Sequence, residues 1–379
     1  MSKMKRMLAV ILSVAVLSSG CSSKQQDAKQ KETLDTAEKV EEVSNDVAEQ
    51  QDSDSVDITL SFAGDINFDD TWVNMMHYHE NGDDITKCID PDYIAAMNAA
   101  DVMWINNEFT YSTNGSPLLG KAYTFRANPK NVSILHELGV DIVGLANNHV
   151  YDYGKDALLD TFTTLENANV LYVGAGRDLS EAMKPVYVEE DGITIAYVAA
   201  SRAEKNKMTP QATETEPGIL RCYDTSLFIE EIKEADANAD IVIALPHWGT
   251  EYSTVLEDAQ TSTGKEYIDA GADVVIGAHT HCLQGMEFYN GKPIFYSLGN
   301  YWFNEKTLDT MLLTLHVTGD SSEQTIEASI LPGTQKGCVT TMAETADEKT
   351  RIFDYLESIS VNAKIDDRGV VTEDLNMEE

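Results

Sequence analysis

Four of the chain's eight histidines fall in three short phrases: Asn147-Asn148-His149, His247-Trp248-Gly249 and Gly277-Ala278-His279-Thr280-His281. Each phrase follows an apolar run, and two acidic phrases, Gly64-Asp65 and Asn106-Asn107-Glu108, follow runs of the same kind. Imidazole nitrogens and carboxylate oxygens together form a donor set that suits Mn, Fe or Zn rather than Ca or Mg. One such residue alone carries little weight. An aspartate after a strand is commonly a turn or a helix cap, and a single histidine can sit satisfied in a core. His279 and His281 weigh more, because alternate residues of an extended strand point the same way and both rings can reach one cluster. Together the phrases predict two carboxylates, an amide and four imidazoles converging on one metal site. His77 and His79 also alternate, but they follow no apolar run and are expected to be non-ligands. His136 and His316 read as structural.

Those phrases need a frame that gathers them. The strand-like run 58–63 is followed by apolar runs at 101–105, 141–145, 240–245 and 273–276, each with an acidic lead. Continuous apolar runs of this length are the mark of strands buried on both faces. Helical stretches precede them at 131–138, 225–235 and 267–270. Strands alternating with helices predict a layered α/β fold with a central sheet, whose strand-end loops form the ligand rim. Further strands are expected at 193–200 and 292–297, the second after an Asn290-Gly291 hairpin turn. Past Trp302, 310–317 and 325–331 read as a final strand pair and 344–358 as a helix. This tail, from 304 onward, is expected to complete the sheet of one domain over 58–375, with a separate small domain as the alternative.

Across 379 residues, 27 Lys and Arg stand against 64 Asp and Glu, a formal charge of −37. That balance excludes wrapping nucleic-acid phosphates and polybasic membrane binding. The hydrophobic fraction of 42% is that of a folded globular protein. At the N-terminus, Lys3, Lys5 and Arg6 precede an apolar run at 7–17 that is too short to span a bilayer. Leu17-Ser18-Ser19-Gly20-Cys21 then completes a secretory signal. Its ending resembles a bacterial lipoprotein signal, in which Cys21 is acylated, although Ser18 stands where a large aliphatic residue is usual. An ordinary cleaved signal is the alternative. Residues 22–57 contain no aromatic side chain and carry eleven acids against four lysines, so they are expected to form a solvated spacer. Cys88, Cys222, Cys282 and Cys338 permit two disulfides without selecting a pairing.

In order along the chain, Gly64-Asp65, Asn107-Glu108, Leu145-Ala146-Asn147-Asn148-His149, His247-Trp248-Gly249 and Gly277-Ala278-His279-Thr280-His281 resemble the poly-gamma-glutamate capsule synthesis protein (CapA) family. Tyr123-Thr124-Phe125-Arg126 and Tyr296-Ser297-Leu298-Gly299-Asn300-Tyr301 extend the resemblance, which runs over 58–303. That family is similar to calcineurin-like metallophosphoesterases. The resemblance therefore implies a four-layer α/β/β/α sandwich around a two-metal centre. It implies that Asp65 binds the first metal and that Glu108 bridges the two. Asn148, His247 and His279 would serve the second metal, His281 would return to the first, and His149 would stand beside the scissile group. Two places depart from the phosphoesterase pattern: Asn67 replaces the His of Asp-x-His, and Glu108 replaces an Asp.

Arg126, with Lys121 behind it, is the expected cation for a bound anion, with a surface salt bridge as the alternative. Trp248, Glu251 and Tyr252 are expected to shape the pocket mouth, with simple packing as the alternative for Trp248. Two functions remain open. One is a non-hydrolytic part in capsule or polyglutamate assembly and export, within a synthesis complex. The other is a membrane-tethered hydrolase using one or two divalent Mn, Fe or Zn ions on phosphoesters of an envelope polymer, a lipid-linked precursor or a nucleotide. Both place the protein outside the cytoplasm, held to the membrane by lipid, with no nucleic-acid partner.

Overall fold

In the computed structural model, which describes residues 55–204 and 208–376, the strand β1 (Ser55–Ile66) shows how the sequence sorts its side chains. Ile58, Leu60 and Phe62 enter one apolar layer, while Ala63 and Ile66 enter another. Up to Ala63 this is the two-residue alternation of a pleated strand with both faces covered, and a register shift between Ala63 and Asp65 then turns Ile66 to the second layer. Cys21 and the spacer up to 54 lie outside the described residues.

The first sheet begins with β1, β2 (Val102–Asn107), β3 (Ile142–Gly144) and β4 (Leu171–Val173). The chain then builds the second sheet from β5 (Val186–Glu190), β6 (Ile193–Ser201), β7 (Ile241–His247), β8 (Val274–Ile276), β9 (Met286–Tyr289) and β10 (Lys292–Phe295). It returns to the first with β11 (Asn300–Trp302), β12 (Leu308–Asp320), β13 (Gln324–Lys336), β14 (Val339–Met342), β15 (Ala363–Ile365) and β16 (Val370–Glu373). The order across the first sheet is β15-β16-β13-β12-β1-β2-β3-β4, with β11 beside β1 and β14 beside β13. Across the second it is β9-β10-β8-β7-β6-β5. Within these, β1 to β4 run parallel, as do β6, β7, β8 and β10.

Three apolar layers show how the sheets stack. Phe62 and Leu60 of the first sheet share a core with Tyr197, Ile243 and Leu245 of the second. Outside the first sheet, Met103, Ile105 and Val143 meet Met75 of α1 (Val73–Glu80), Met97 of α2 (Pro91–Ala99), Leu135 of α3 (Ser133–Glu137) and Leu158 of α4 (Lys155–Ala168). Outside the second, Val198, Val242 and Val275 meet Phe228 and Ile232 of α5 (Ser226–Asp236) and Tyr267 of α6 (Asp258–Asp269). The result is a four-layer α/β/β/α sandwich. The tail shares it: β12 pairs antiparallel with β1 from Ser55↔Asp320 to Ala63↔Leu312. The last helix, α7 (Ala346–Ser358), sends Ile352, Phe353 and Leu356 into the layer between the sheets.

Several local features differ from the sequence reading, for physical reasons. β1 starts at Ser55, three residues into the stretch read as spacer, because β12 is long enough to pair with it there. α6 begins at Asp258 rather than 267, since its buried face includes Gln260, Thr263 and Gly264, which carry no apolar signal. Cys88, Cys222, Cys282 and Cys338 are all free thiols, so the two disulfides that the count permits do not form. Burial pushes the Cys88 and Cys222 thiols up to about 12. Asn290 and Gly291 both take positive φ, 54° and 74°, as the tight turn between β9 and β10 requires. Among the described residues no helix is long and apolar enough to cross a membrane.

Candidate metal centre

Strand ends from both sheets meet at one place. β1 delivers Asp65, β2 delivers Asn106 with Glu108 just beyond it, and the turn after β3 carries Asn148 and His149. His247 is the last residue of β7, and His279 and His281 lie in the loop after β8. Asn106 Nδ2 donates to Asp65 Oδ1 at 2.7 Å and to Glu108 Oε1 at 3.1 Å. His247 Nε2 stands 3.1 Å from Glu108 Oε1 and 2.8 Å from Asn148 Oδ1. His281 Nδ1 lies 3.0 Å from Asp65 Oδ2 and 2.9 Å from Asn300 Oδ1, and its Nε2 is 3.8 Å from Glu108 Oε2. The His247 and His279 rings are 4.6 Å apart. Two donor groups result, Asp65–Glu108–His281 and Glu108–His247–His279, each with its ligand atoms within 4.8 Å of one another. Glu108 belongs to both.

These residues fit a metal on a further ground. Among the described residues, Asp65 Oδ2, Glu108 Oε2 and His279 Nδ1 are buried without a hydrogen-bond partner; the contact of Asp65 with His281 is short but off line. Buried polar atoms are almost always paired, and a cation shared among these three would satisfy them. Burial pushes Glu108 well above the ordinary carboxylate range, and Asp65 adds to the effect. Burial, then the neighbouring imidazoles, hold His247 and His279 well below their usual value, so both are neutral rings able to donate a lone pair. Burial opposes charge on His281 too, but Glu108 and then Asp65 outweigh it and lift this ring to about 9.

The sequence reading set His279 and His281 on one face of an extended strand. The structure corrects that reason. Both lie in a loop, and their backbones take positive φ, 99° for His279 and 57° for His281. Such conformations are sterically costly for a residue with a Cβ and persist only where surrounding contacts impose them. Here Ala278 N donates to Pro246 O at 3.2 Å, and Tyr252 N donates to Thr280 O at 2.7 Å. Tyr252 itself has a positive φ of 57°.

His149 stands outside the two donor groups. Its Nδ1 meets Asp152 Oδ2 at 2.7 Å, and its ring packs 4.6 Å from that of Phe125. Phe125 N donates to Asp152 at 2.8 Å, and Lys121 Nζ meets the other Asp152 oxygen at 2.6 Å. Lys121 also pairs with Glu204 at 3.2 Å and donates to the Asn148 carbonyl. A cleft of about 320 Å³ opens here, lined by His149, His281, Glu251, Tyr252, Phe303 and Lys306 among others.

The remaining candidates fall in other places. Arg126 does not line this cleft; its Nη1 donates to the Asn114 carbonyl at 3.0 Å, and its guanidinium covers the Tyr153 ring at 4.1 Å. Trp248 is fully buried, donates Nε1 to Tyr296 O at 2.8 Å and stacks on Tyr267, so it packs behind the centre rather than at the mouth. Asn67 Oδ1 accepts from Asp69 N at 2.8 Å and closes a turn. His79 pairs with Asp70 and Asp83, and His316 with Asp57, away from the cluster. Sequence reasoning named Asn106 only as part of a strand-end phrase and passed over Asp152 and Lys306. Asp152, three residues after His149 in one turn, was the most legible of these; no local pattern marks Lys306.

A family model described as Bacterial capsule synthesis protein PGA_cap matches residues 59–305. The PGA biosynthesis protein CapA of Bacillus subtilis (strain 168) is 34% identical over 269 residues, 70% of this chain and 69% of that protein. The capsule biosynthesis protein CapA of Bacillus anthracis is 31% identical over 238 residues, 61% of this chain and 56% of that protein. Among solved structures, an NAD nucleotidase from Haemophilus influenzae aligns with 81% of this chain and 64% of its own, at 13% identity and a TM-score of 0.39.

Proposed function

The chain belongs to the bacterial capsule synthesis protein family PGA_cap, and from that membership we propose a CapA-type surface protein of poly-gamma-glutamate or capsule synthesis whose centre hydrolyses a phosphoester. The observation that carries the reading is the pair of donor groups sharing one carboxylate, Glu108. In this reading Asp65 and His281 hold one divalent ion, His247, His279 and the Asn148 amide oxygen hold the other, and Glu108 serves both. Mn, Fe or Zn suits these donors. Bound there, such ions supply Lewis acidity and neutralise charge on phosphoryl oxygens.

The chain's own residues perform the rest. Asn106 holds one oxygen each of Asp65 and Glu108, which fixes how both carboxylates present their other oxygen. Asp152 on His149 Nδ1 orients the ring and leaves Nε2 facing the reaction. As the imidazolium, protonated on both nitrogens, the ring passes its Nε2 proton to the leaving oxygen and is left neutral with Nδ1–H on Asp152. Lys121 and the Phe125 amide hold Asp152 in turn. Phe125 and Phe303 keep water from the histidine edges.

The names of the Bacillus relatives support placing this activity in capsule or polyglutamate synthesis. They also favour a second reading, a non-hydrolytic part in the assembly complex. The charge of −37 weighs against direct contact with a polyanionic polymer in either case. For location, the leader ending at Cys21 supports an extracytoplasmic lipoprotein in which 22–54 is a spacer and the working domain follows. Cys21→Ala should then leave the membrane fraction.

Metal-loaded protein assayed against phosphomonoesters and diesters tests the hydrolase. His149→Ala should keep its metal and lose ~10²–10⁴ in rate, whereas Glu108→Ala should lose metal and activity together. A wild type that binds metal yet turns over no ester would leave the assembly role standing alone.

A further inference from the structure

The cleft beside the metal centre has walls that the hydrolytic residues do not account for. We propose that it is the subsite for the alcohol half of the phosphoester, and that it selects a planar ring carrying a second anionic group; this rests on the hydrolase reading above. The aromatic surface begins at the reacting end. Phe125 packs on His149 at 4.6 Å and meets Phe303 edge-on at 5.5 Å, and Phe303 packs on His281 at 4.7 Å. From there the rings continue outward, through Trp72 at 5.0 Å from Phe125 and through Tyr252 at 5.6 Å from His281. Tyr252 leaves 42% of its surface exposed in the cleft, and Tyr123, beside Trp72, leaves 58%. Exposed aromatic surface bordering a reaction centre can stack a flat group, and on Tyr252 that surface is the part of the ring Lys306 leaves open.

Charge gives the second half. Lys306 is the one Lys or Arg among the described residues lining the cleft, and its ammonium lies 3.4 Å from the Tyr252 ring centroid. It makes no ion pair among the described residues, whereas Lys121, buried next to the centre, is held by Asp152 and Glu204. Glu251 and Glu305 also line the cleft and repel an anion placed near them. An anionic group on the ligand is therefore accepted at Lys306. Tyr252 joins the two requirements, because it carries the stacking face, sits under Lys306 and is bound through its backbone to the His279–His281 loop.

Phosphonates, which are not hydrolysed, read the subsite without turnover. Metal-loaded protein is titrated calorimetrically with methylphosphonate, phenylphosphonate and para-carboxyphenylphosphonate. Phenylphosphonate should bind about tenfold more tightly than methylphosphonate, and the carboxylated ring about fivefold more tightly again. Tyr252→Ala should bring the phenyl-to-methyl ratio close to unity, while Tyr252→Phe preserves it. Lys306→Met should abolish the carboxylate gain and leave the ring gain. Equal binding of all three by wild type overturns the subsite and leaves the hydrolase standing. Failure of every phosphonate to bind a protein that holds its metal overturns both.

Discussion

Asn106 is the smallest part with the widest reach. One amide nitrogen serves Asp65 and Glu108 and lies 3.4 Å from His247 Nδ1. Asn106→Ala leaves two buried carboxylates without that donor, and metal affinity should fall by about 10–100-fold, read by competition with a chelating dye. A different buried carboxyl, Glu231 of α5, has no such support: both oxygens lack a partner among the described residues, and burial, then Glu234, raises it well above the ordinary range. The folded chain therefore keeps a proton there that the unfolded chain has already released. Stability falls as pH rises from the ordinary carboxylate range toward the raised folded value. Glu231→Met should stabilise by about 1–3 kcal/mol at neutral pH, with the gap closing in acid, followed by urea midpoints across pH. At this scale the sequence was legible where chemistry and position agree. Asp65, Glu108, Asn148, His149, His247, His279 and His281 all sit just past an apolar run, and the structure brings them together. Arg126 is read as a cation for an anion and Trp248 from its place after His247, but the direction a side chain takes from a loop is fixed by tertiary neighbours that no local pattern records.

At the scale of elements, close backbone approach sets the centre. A Cβ on Gly64 would lie 1.9 Å from Gly299 O, the same carbonyl that accepts from Asp65 N at 2.8 Å. Gly64→Ala must push β1 away from the loop before β11 and carry Asp65 with it. We expect soluble protein with at most half the wild-type metal, measured by elemental analysis; full metal content would show that Asp65 tolerates the shift. The strands were readable because burial on both faces writes continuous apolar runs, as in β2, β7 and β8. α6 was half hidden because a helix that packs Thr263 and Gly264 against its neighbours displays no stripe. The left-handed loop at His279 and His281 could not be read at all, since its cause is hydrogen bonding to distant segments.

For the molecule as a whole, a centre made of strand ends from two sheets joins them like a clasp. Chelation removes whatever cation the cluster holds and leaves Asp65 and Glu108 facing each other in a buried site. By linkage, a ligand bound only to the folded state adds stability that vanishes with it. A chelator should lower the melting temperature by several degrees, with roughly 1 kcal/mol corresponding to 2–4 °C in a domain of this size. Adding back Mn, Fe or Zn should restore it. No change on chelation, in protein shown to contain metal beforehand, would mean that the centre contributes nothing to holding the sheets together. The acidic composition was legible at this scale from the first count, and so was the layered class; the pairing of the two sheets face to face is implied by the family resemblance, and the structure bears it out, while the alternation that produces it shows only in the fold.

β1 enters the domain at Ser55 and hands Asp65 to the centre at its far end. At about 3.3 Å per residue its 12 residues carry the chain about 40 Å along the strand. Chain entry and chemistry thus stand at opposite ends of one strand, so whatever joins the domain at Ser55 does so a strand's length away from the residues that gather around Glu108.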